Sequence, residues 1–185
     1  MFVPKLVIDG YNLLFQSPWV GKGRGRDWLA KARGRLMSRL DRGLPDDLLR
    51  TTQVVFDAPD QATPPADFIS SSGLQVVFAT DHPEADDLLE QIIRRHPTPK
   101  QLTVVSSDQR IQRCARARRA LWLRAEDFVN QLERGPQAWQ AEGEPPTSQP
   151  PETPDGLLSE SEIAYWLDQF TPKNPPTPER PGKSP

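Results

Sequence analysis

The stretch Leu6-Val7-Ile8-Asp9-Gly10 decides the fold, because a short apolar run stops there at an aspartate and a glycine. Similar runs occur at 53–56, 74–78 and 102–105, each with an aspartate shortly after it, and 121–123 is a weaker fifth. Apolar runs of this length, bounded by turn residues, are typical of buried parallel strands. The sequence therefore predicts strands at these positions.

Between the predicted strands, apolar residues recur with the spacing of a helix. This spacing is found at 29–40, 85–93, 111–115 and 126–133. Strands that alternate with helices along a chain build right-handed β-α-β units. We therefore expect an α/β fold in which helices cover both faces of a mostly parallel central sheet.

Composition divides the 185 residues into two parts. Residues 1–135 hold 20 basic and 17 acidic residues, whereas residues 136–185 hold 3 basic and 8 acidic residues together with 12 of the 21 prolines. A segment so rich in proline and charge lacks the apolar content that would repay the cost of ordering it. The sequence predicts one domain over 1–135 and a Pro-rich, acidic, largely disordered C-terminal tail over 136–185.

One segment of the tail has the pattern of a helix. Ser159-Glu160-Ser161-Glu162 is a capping box, and Ile163, Trp166, Leu167 and Phe170 follow it along one apolar face. This pattern predicts a short amphipathic helix at about residues 160–170. Because so short a helix is marginal alone, it either packs on the domain or binds a protein partner, and the sequence leaves both open.

Several classes of protein are excluded or disfavoured by composition. Cys114 is the only cysteine, which excludes a disulfide framework, and the two histidines, His82 and His96, are too few for a typical zinc site. No apolar stretch is long enough for a membrane span, and the first residues do not form a secretory signal. We expect a cytoplasmic protein that does not associate with membranes.

Aspartates gather where the predicted strands end. Asp9, Asp57, Asp81 and Asp108 follow successive strands, and Asp86 and Asp87 begin the helix after the third. The carboxyl ends of parallel strands meet at one edge of the sheet, and carboxylates crowded there repel unless a cation neutralises them. Oxygen ligands favour Mg²⁺ or Mn²⁺, so the pattern predicts a site for one or two such ions.

Helical geometry separates the neighbouring acids of this helix. With 85–93 facing the sheet, Asp86 lies at the edge of the apolar stripe, Asp87 points away, and Glu84 at the other edge stays open as a ligand. A purely structural explanation also stays open, because aspartates commonly cap helices and end strands.

Basic residues occur on two predicted helices and on the loop before the first. They are Lys22, Arg24 and Arg26 in and after the loop, Lys31, Arg35, Arg39 and Arg42 on the first helix, and Arg110 and Arg113 near Asp108. Positive charge beside an acidic metal site is suited to holding a polyanion such as RNA. The alternative is that these side chains only solvate helix surfaces.

Four segments carry a family resemblance: Leu6–Leu13, Val54–Ala58, Glu84–Leu88 and Val105–Asp108. In order and spacing they resemble the YacP-like family of NYN domains, a branch of the PIN-like nuclease fold, over nearly all of 1–135. The resemblance implies a three-layer PIN-like NYN domain. It also implies a Mg²⁺- or Mn²⁺-dependent endoribonuclease that acts in RNA turnover and in part on translating ribosomes.

The resemblance also implies roles for individual residues. Asp9, Asn12, Asp86 and Asp108 match the family's catalytic positions, while Asp57 and Asp87 match acidic positions of secondary importance. We expect Asp9, Asp86 and Asp108 to hold the metal directly or through water, and Asn12 to orient a ligand or a phosphate oxygen. Two alternatives remain: a non-catalytic RNA-binding NYN module, and a metal-dependent phosphatase acting on a small phosphorylated substrate.

Overall fold

A computed structural model describes residues 2–21, 23, 26–58 and 66–141. All of them belong to one compact unit, Met1–Gln149. The predicted tail helix at about 160–170 lies outside the described residues, as does the predicted tail beyond residue 141, so those predictions stay predictions.

The described strands form one six-stranded sheet in the order β3-β4-β2-β1-β5-β6. All pairings are parallel except that of β3 with β4. The predicted mostly parallel sheet is confirmed, and β3, only two residues long and exposed, was not predicted. The strands are β1 (Leu6–Asp9), β2 (Thr52–Phe56), β3 (Phe68–Ile69), β4 (Gln75–Phe78), β5 (Thr103–Val105) and β6 (Leu121–Leu123).

The helices fill the connections between strands. Those predicted from apolar spacing are present, whereas α1, which starts directly at the end of β1, was not predicted. The helices are α1 (Gly10–Gln16), α2 (Arg26–Gly43), α3 (Asp46–Leu49), α4 (Ala85–Arg95), α5 (Gln109–Ala117), α6 (Ala125–Glu133) and α7 (Ala138–Ala141). Within the described ranges, no helix has the length and apolar character needed to cross a bilayer.

Alternate side chains of each strand point to opposite faces of the sheet, which gives the fold three layers. On one face, Ile8 and the other strand side chains that point the same way pack with Leu13 of α1, Leu36 of α2 and Phe128 of α6. On the other face, Val7, Val55 and Val104 pack with apolar residues of α4 and α5. Because successive side chains of the strands alternate between the faces, both faces of the sheet are apolar, and helices cover each of them.

The strand order places a crevice beside β1. From β1 the chain moves outward to β2 and β4, and it then returns to β5 on the opposite side of β1. In open α/β sheets, ligands bind outside the carboxyl ends of the strands at such a switch point. The ends of β1 and β5 are therefore where a functional site is expected.

Candidate active site

Asp9 lies at the crevice and links its two sides. It is the last residue of β1 and the N-cap of α1, where its Oδ1 accepts a hydrogen bond from the Asn12 backbone N–H at 3.1 Å. Its Oδ2 accepts a hydrogen bond from the Ser106 hydroxyl, also at 3.1 Å, just after β5. Both oxygens are held, and the side chain is only 7% exposed.

Burial makes the charge of Asp9 costly. The pKa of Asp9 is raised from 3.8 to about 6, mainly by its removal from water. The hydrogen bonds from Asn12 and Ser106 oppose this shift, and the charges of Asp86 and Asp57 add to it. The direction of the pKa shift shows that local hydrogen bonds do not compensate for the buried charge. A cation at this position would do so.

Gly10 explains how α1 can start so close to the sheet. A Cβ at this position would collide with the ring of Phe56 at the end of β2. Because glycine has no Cβ, α1 begins directly against the sheet and keeps Asp9 and Asn12 at its carboxyl edge.

Asn12 joins α1 to the β5–α5 loop. Its Oδ1 accepts a hydrogen bond from the Ser107 backbone N–H at 2.8 Å. The Ser107 hydroxyl in turn donates to Glu126 at 2.5 Å and accepts from the Ala125 N–H at 3.0 Å, which anchors the loop to α6. The Asn12 side-chain oxygen thus fixes the backbone next to the crevice, and the predicted role of Asn12 in orienting a ligand stays a prediction.

Among the predicted site carboxylates, that of Asp86 makes the fewest contacts with protein groups. It lies half-buried in the first turn of α4, and among the described residues its carboxylate has no hydrogen bond or ion pair. Burial raises the pKa of Asp86, as do the charges of Asp108, Glu84 and Asp57, against an opposing effect of Arg110. Its oxygens are free to accept an external ligand.

Asp108 and Asp57 each bind the start of a helix. Asp108 caps α5 through a 2.6 Å hydrogen bond from the Arg110 N–H, and Asp57 accepts a 2.6 Å hydrogen bond from the Ala85 N–H at the start of α4. Asp9 does the same for α1, so three helix N-termini point toward these carboxylates. The capping role foreseen in the sequence and a role in a site are therefore compatible, because each cap bond occupies one oxygen.

Arg110 connects α5 to α4. Its guanidinium lies 2.5 Å from Asp87 and 2.8 Å from Glu90, with Glu84 at 3.9 Å. Asp87 and Glu90 raise the pKa of Arg110, so its guanidinium stays charged. Asp87 is thus paired with a residue of α5. Arg110, which was predicted to bind RNA, holds α4, the helix that carries Asp86.

The predicted basic residues of α2 line a groove with Pro18 and Trp19. Arg35 donates to the carbonyls of Trp19 and Val20 at 2.9 and 2.6 Å, and Arg39 lies 5.6 Å from the Trp19 ring centroid. The groove contains Lys31, Arg35, Arg39 and Arg42. None of these four forms an ion pair within the described part of the chain, so their positive charge is not neutralised there.

The structure describes only some of the other predicted RNA-binding residues. Arg113 is exposed on α5. Lys22 and Arg24 lie outside the described residues, and for Arg26 only the backbone is described.

The candidate site offers oxygen donors of the kind that a divalent ion requires. In the described ranges, no group of three or more His, Cys, Asp or Glu side chains is close enough to hold a metal ion together. Mg²⁺, however, typically takes one or two carboxylates and keeps several waters. The donors here are all oxygens, the pKa values of Asp9 and Asp86 are raised, and the Asp86 oxygens are free. The residues therefore fit a hydrated Mg²⁺ or Mn²⁺ better than an ion enclosed by protein.

Three residues that hold side chains of β1 and α1 were not predicted from the sequence. Ser106 and Ser107 bind Asp9 and Asn12, and Arg33 of α2 donates to the Tyr11 hydroxyl at 2.7 Å. Arg33 had a detectable signal, because it lies four residues after Leu29, within the apolar stripe of α2. The two serines lie in the segment Val105–Asp108, but no role was predicted for them because small polar residues after a strand are common in turns.

Comparison with known proteins adds to this geometry. The chain is similar in fold to two crystal structures of Rae1 (YacP) from Bacillus subtilis, with 21% identity over 72% of this chain and 75% of that one at a TM-score of 0.52. The second structure is of a point variant of Rae1, with 22% identity over 70% of this chain and 74% of that one at a TM-score of 0.52. No curated protein matches the sequence. The family model of the YacP-like NYN domain matches residues 6–169, and the chain therefore belongs to the YacP-like NYN family.

Proposed function

We propose that the protein is a Mg²⁺- or Mn²⁺-dependent endoribonuclease that hydrolyses RNA phosphodiester bonds at Asp9, Asp86 and Asp108, here called the carboxylate site. One observation carries the proposal. A buried aspartate with a raised pKa lies within electrostatic reach of an aspartate without a protein partner, at the switch point of the sheet. Membership of a nuclease family supports the same reaction.

Each residue has a distinct task in this mechanism. Asp9, held through both oxygens, gives the site a fixed carboxylate, while Asp108 and Asp86 offer oxygens that cap bonds do not use. When bound there, a divalent ion supplies an activated water and neutralises charge that develops on the phosphoryl oxygens. Asp57 positions α4, and Asp87 acts through Arg110, so both support the ligands indirectly.

The basic groove of α2 would guide the substrate. Its four cations lack carboxylate partners in the described ranges, and phosphate contacts give affinity that does not depend on sequence. The family resemblance extends the proposal to RNA turnover in the cytoplasm, with RNA on the ribosome among the substrates to test.

Metal and pH dependence test the proposed reaction. Cleavage of an unstructured RNA should require Mn²⁺ or Mg²⁺ and stop in EDTA. Because a proton competes with the ion for Asp9, whose pKa is about 6 without metal, the apparent Mn²⁺ affinity should fall about tenfold per pH unit below 6 and level off above it. Mn²⁺ titrations of the cleavage rate between about pH 5 and pH 8 measure this effect. Full activity in EDTA would disprove the metal mechanism.

Asn12→Ala tests whether the hydrogen bond to Ser107 positions the site. The variant leaves the Ser107 N–H without its acceptor, which should cost about 1 kcal/mol of stability, and it should lower the cleavage rate roughly tenfold to a hundredfold. Gln16→Ala is the matched control, because Gln16 is exposed on the same helix. Equal cleavage rates in the two variants would show that Asn12 does not position the carboxylate site.

A further inference from the structure

We propose that Tyr11, Phe15 and Arg33 form a subsite for one unpaired nucleotide of the RNA, and that the enzyme therefore prefers single-stranded substrates. The subsite deepens the proposed function, because it would hold a nucleotide that flanks the cleaved bond. Its base would stack on the aromatic rings and its phosphate would bind the guanidinium.

The two aromatic rings form a platform on α1. Their centroids lie 6.0 Å apart with an interplanar angle of 27°. Phe15 is 56% exposed, although its neighbours Leu13 and Leu14 are fully buried. An exposed phenylalanine adds little to the core, but every base has a face that stacks on such a ring.

Arg33 supplies a cation beside this platform. One of its N–H groups donates to the Tyr11 hydroxyl at 2.7 Å, and its guanidinium carbon lies 5.6 Å from the ring centroid of Phe78 and 6.0 Å from that of Phe56. These contacts fix the guanidinium without neutralising it, since no carboxylate in the described ranges pairs with Arg33. An arginine has five N–H donors, so most of them are available to a phosphate.

The position of the subsite connects it to the carboxylate site. Tyr11 follows Asp9 by two residues, and Phe56 directly precedes Asp57. Tyr11 and Phe56 therefore lie beside the carboxylates, and Phe15 lies one helical turn further along α1. Arg33 is on the α1–α2 side of the sheet and Asp86 is on the α4 side. An RNA strand that runs from the carboxylate site along α1 would contact both sites.

The combination of charge and ring favours a nucleotide over an apolar protein segment. A protein segment that covered Phe15 would leave the cation of Arg33 without an anion, whereas a nucleotide offers both a base and a phosphate. A base within a duplex is stacked on its neighbours on both faces, so only an unpaired base fits the platform.

Binding to RNA in EDTA, with the full chain, tests the subsite. The probe is an unstructured RNA oligonucleotide that contains 2-aminopurine, used alone or annealed to its complement. Affinity is read by anisotropy, and stacking by the quenching of 2-aminopurine fluorescence. The matched controls are Phe68→Ala, which removes another exposed phenylalanine, and Arg95→Ala, which removes another exposed arginine.

We expect Phe15→Ala and Arg33→Ala each to weaken single-strand binding about tenfold and to change duplex binding less. Phe15→Ala should also abolish the quenching, whereas Arg33→Lys should retain part of the affinity and the full melting temperature. The controls should behave as wild type.

Three results would overturn the subsite: unchanged single-strand affinity in Phe15→Ala, equal losses for single strand and duplex, or equal losses in the controls. Unchanged affinity would leave the platform to a protein partner. Because the assay contains no metal, it does not depend on cleavage. A wild type that never cleaves RNA would reject the proposed function and leave this binding result to be judged separately.

Discussion

Asp9→Asn is expected to abolish RNA cleavage and at the same time to stabilise the metal-free protein at neutral pH. The folded state holds the Asp9 proton more tightly than the unfolded state, because its pKa is about 6 instead of 3.8. The stability contributed by this group therefore falls as pH rises from about 4 to about 6, and above 6 the full penalty, roughly 3 kcal/mol, is present. An asparagine avoids that penalty and can still cap α1.

Thermal unfolding in EDTA measures the stability effect. At about pH 7.5 the variant should be more stable than wild type by about 1–3 kcal/mol, and at about pH 4 the difference should nearly vanish. Cleavage with Mn²⁺ should fall roughly a thousandfold, and Mn²⁺ should raise the melting temperature of wild type more than that of the variant. A variant less stable than wild type at about pH 7.5 would show that Asp9 is only a structural cap.

Asp86→Asn should remove activity without removing stability. In the described part of the chain no hydrogen bond or ion pair depends on this carboxylate, so its replacement should leave the melting temperature unchanged or slightly higher. Cleavage should fall roughly a thousandfold if Asp86 holds the ion. Asp81→Asn is the matched control, because Asp81 is an exposed aspartate that also follows a strand of the sheet, and it should retain full activity.

The results of this experiment separate the remaining functions. Equal cleavage by Asp86→Asn and Asp81→Asn would remove Asp86 from the site. RNA binding without cleavage by any form of the protein would indicate a non-catalytic RNA-binding module. Turnover of small phosphorylated compounds but never of oligonucleotides would indicate a phosphatase.

Most of the sheet could be predicted because its signal is local. An apolar run with an aspartate at its end or shortly after it identified β1, β2, β4 and β5, and the shorter run at 121–123 identified β6. Helix α1 was missed because it has only seven residues and begins at the strand end itself, where Asp9-Gly10 was interpreted as a turn. Its formation depends on Gly10 packing against Phe56, a contact between distant parts of the chain.

That three of the aspartates are neighbours could be predicted, but not the pairings around them. Asp9 ends β1, Asp108 follows β5 and Asp86 lies in the first turn of α4, where the charge of Asp86 acts on Asp9 and that of Asp108 acts on Asp86. That these aspartates form a catalytic site stays a prediction. That Arg110 would bind Asp87 and Glu90 depends on how α4 lies beside α5, which the sequence of neither helix contains. Asn12 likewise found its partner in Ser107, across the crevice.

The central place of β1 determines when the carboxylate site is complete during synthesis. β1 pairs with β2 on one side and with β5 on the other, where Leu6 meets Thr103. A nascent chain that ends before β5 has no Ser106 to hold Asp9 and no Asp108. A chain that is unfinished or is cut before β5 therefore lacks a complete carboxylate site, and the proposed activity arises only once synthesis has passed the fifth strand.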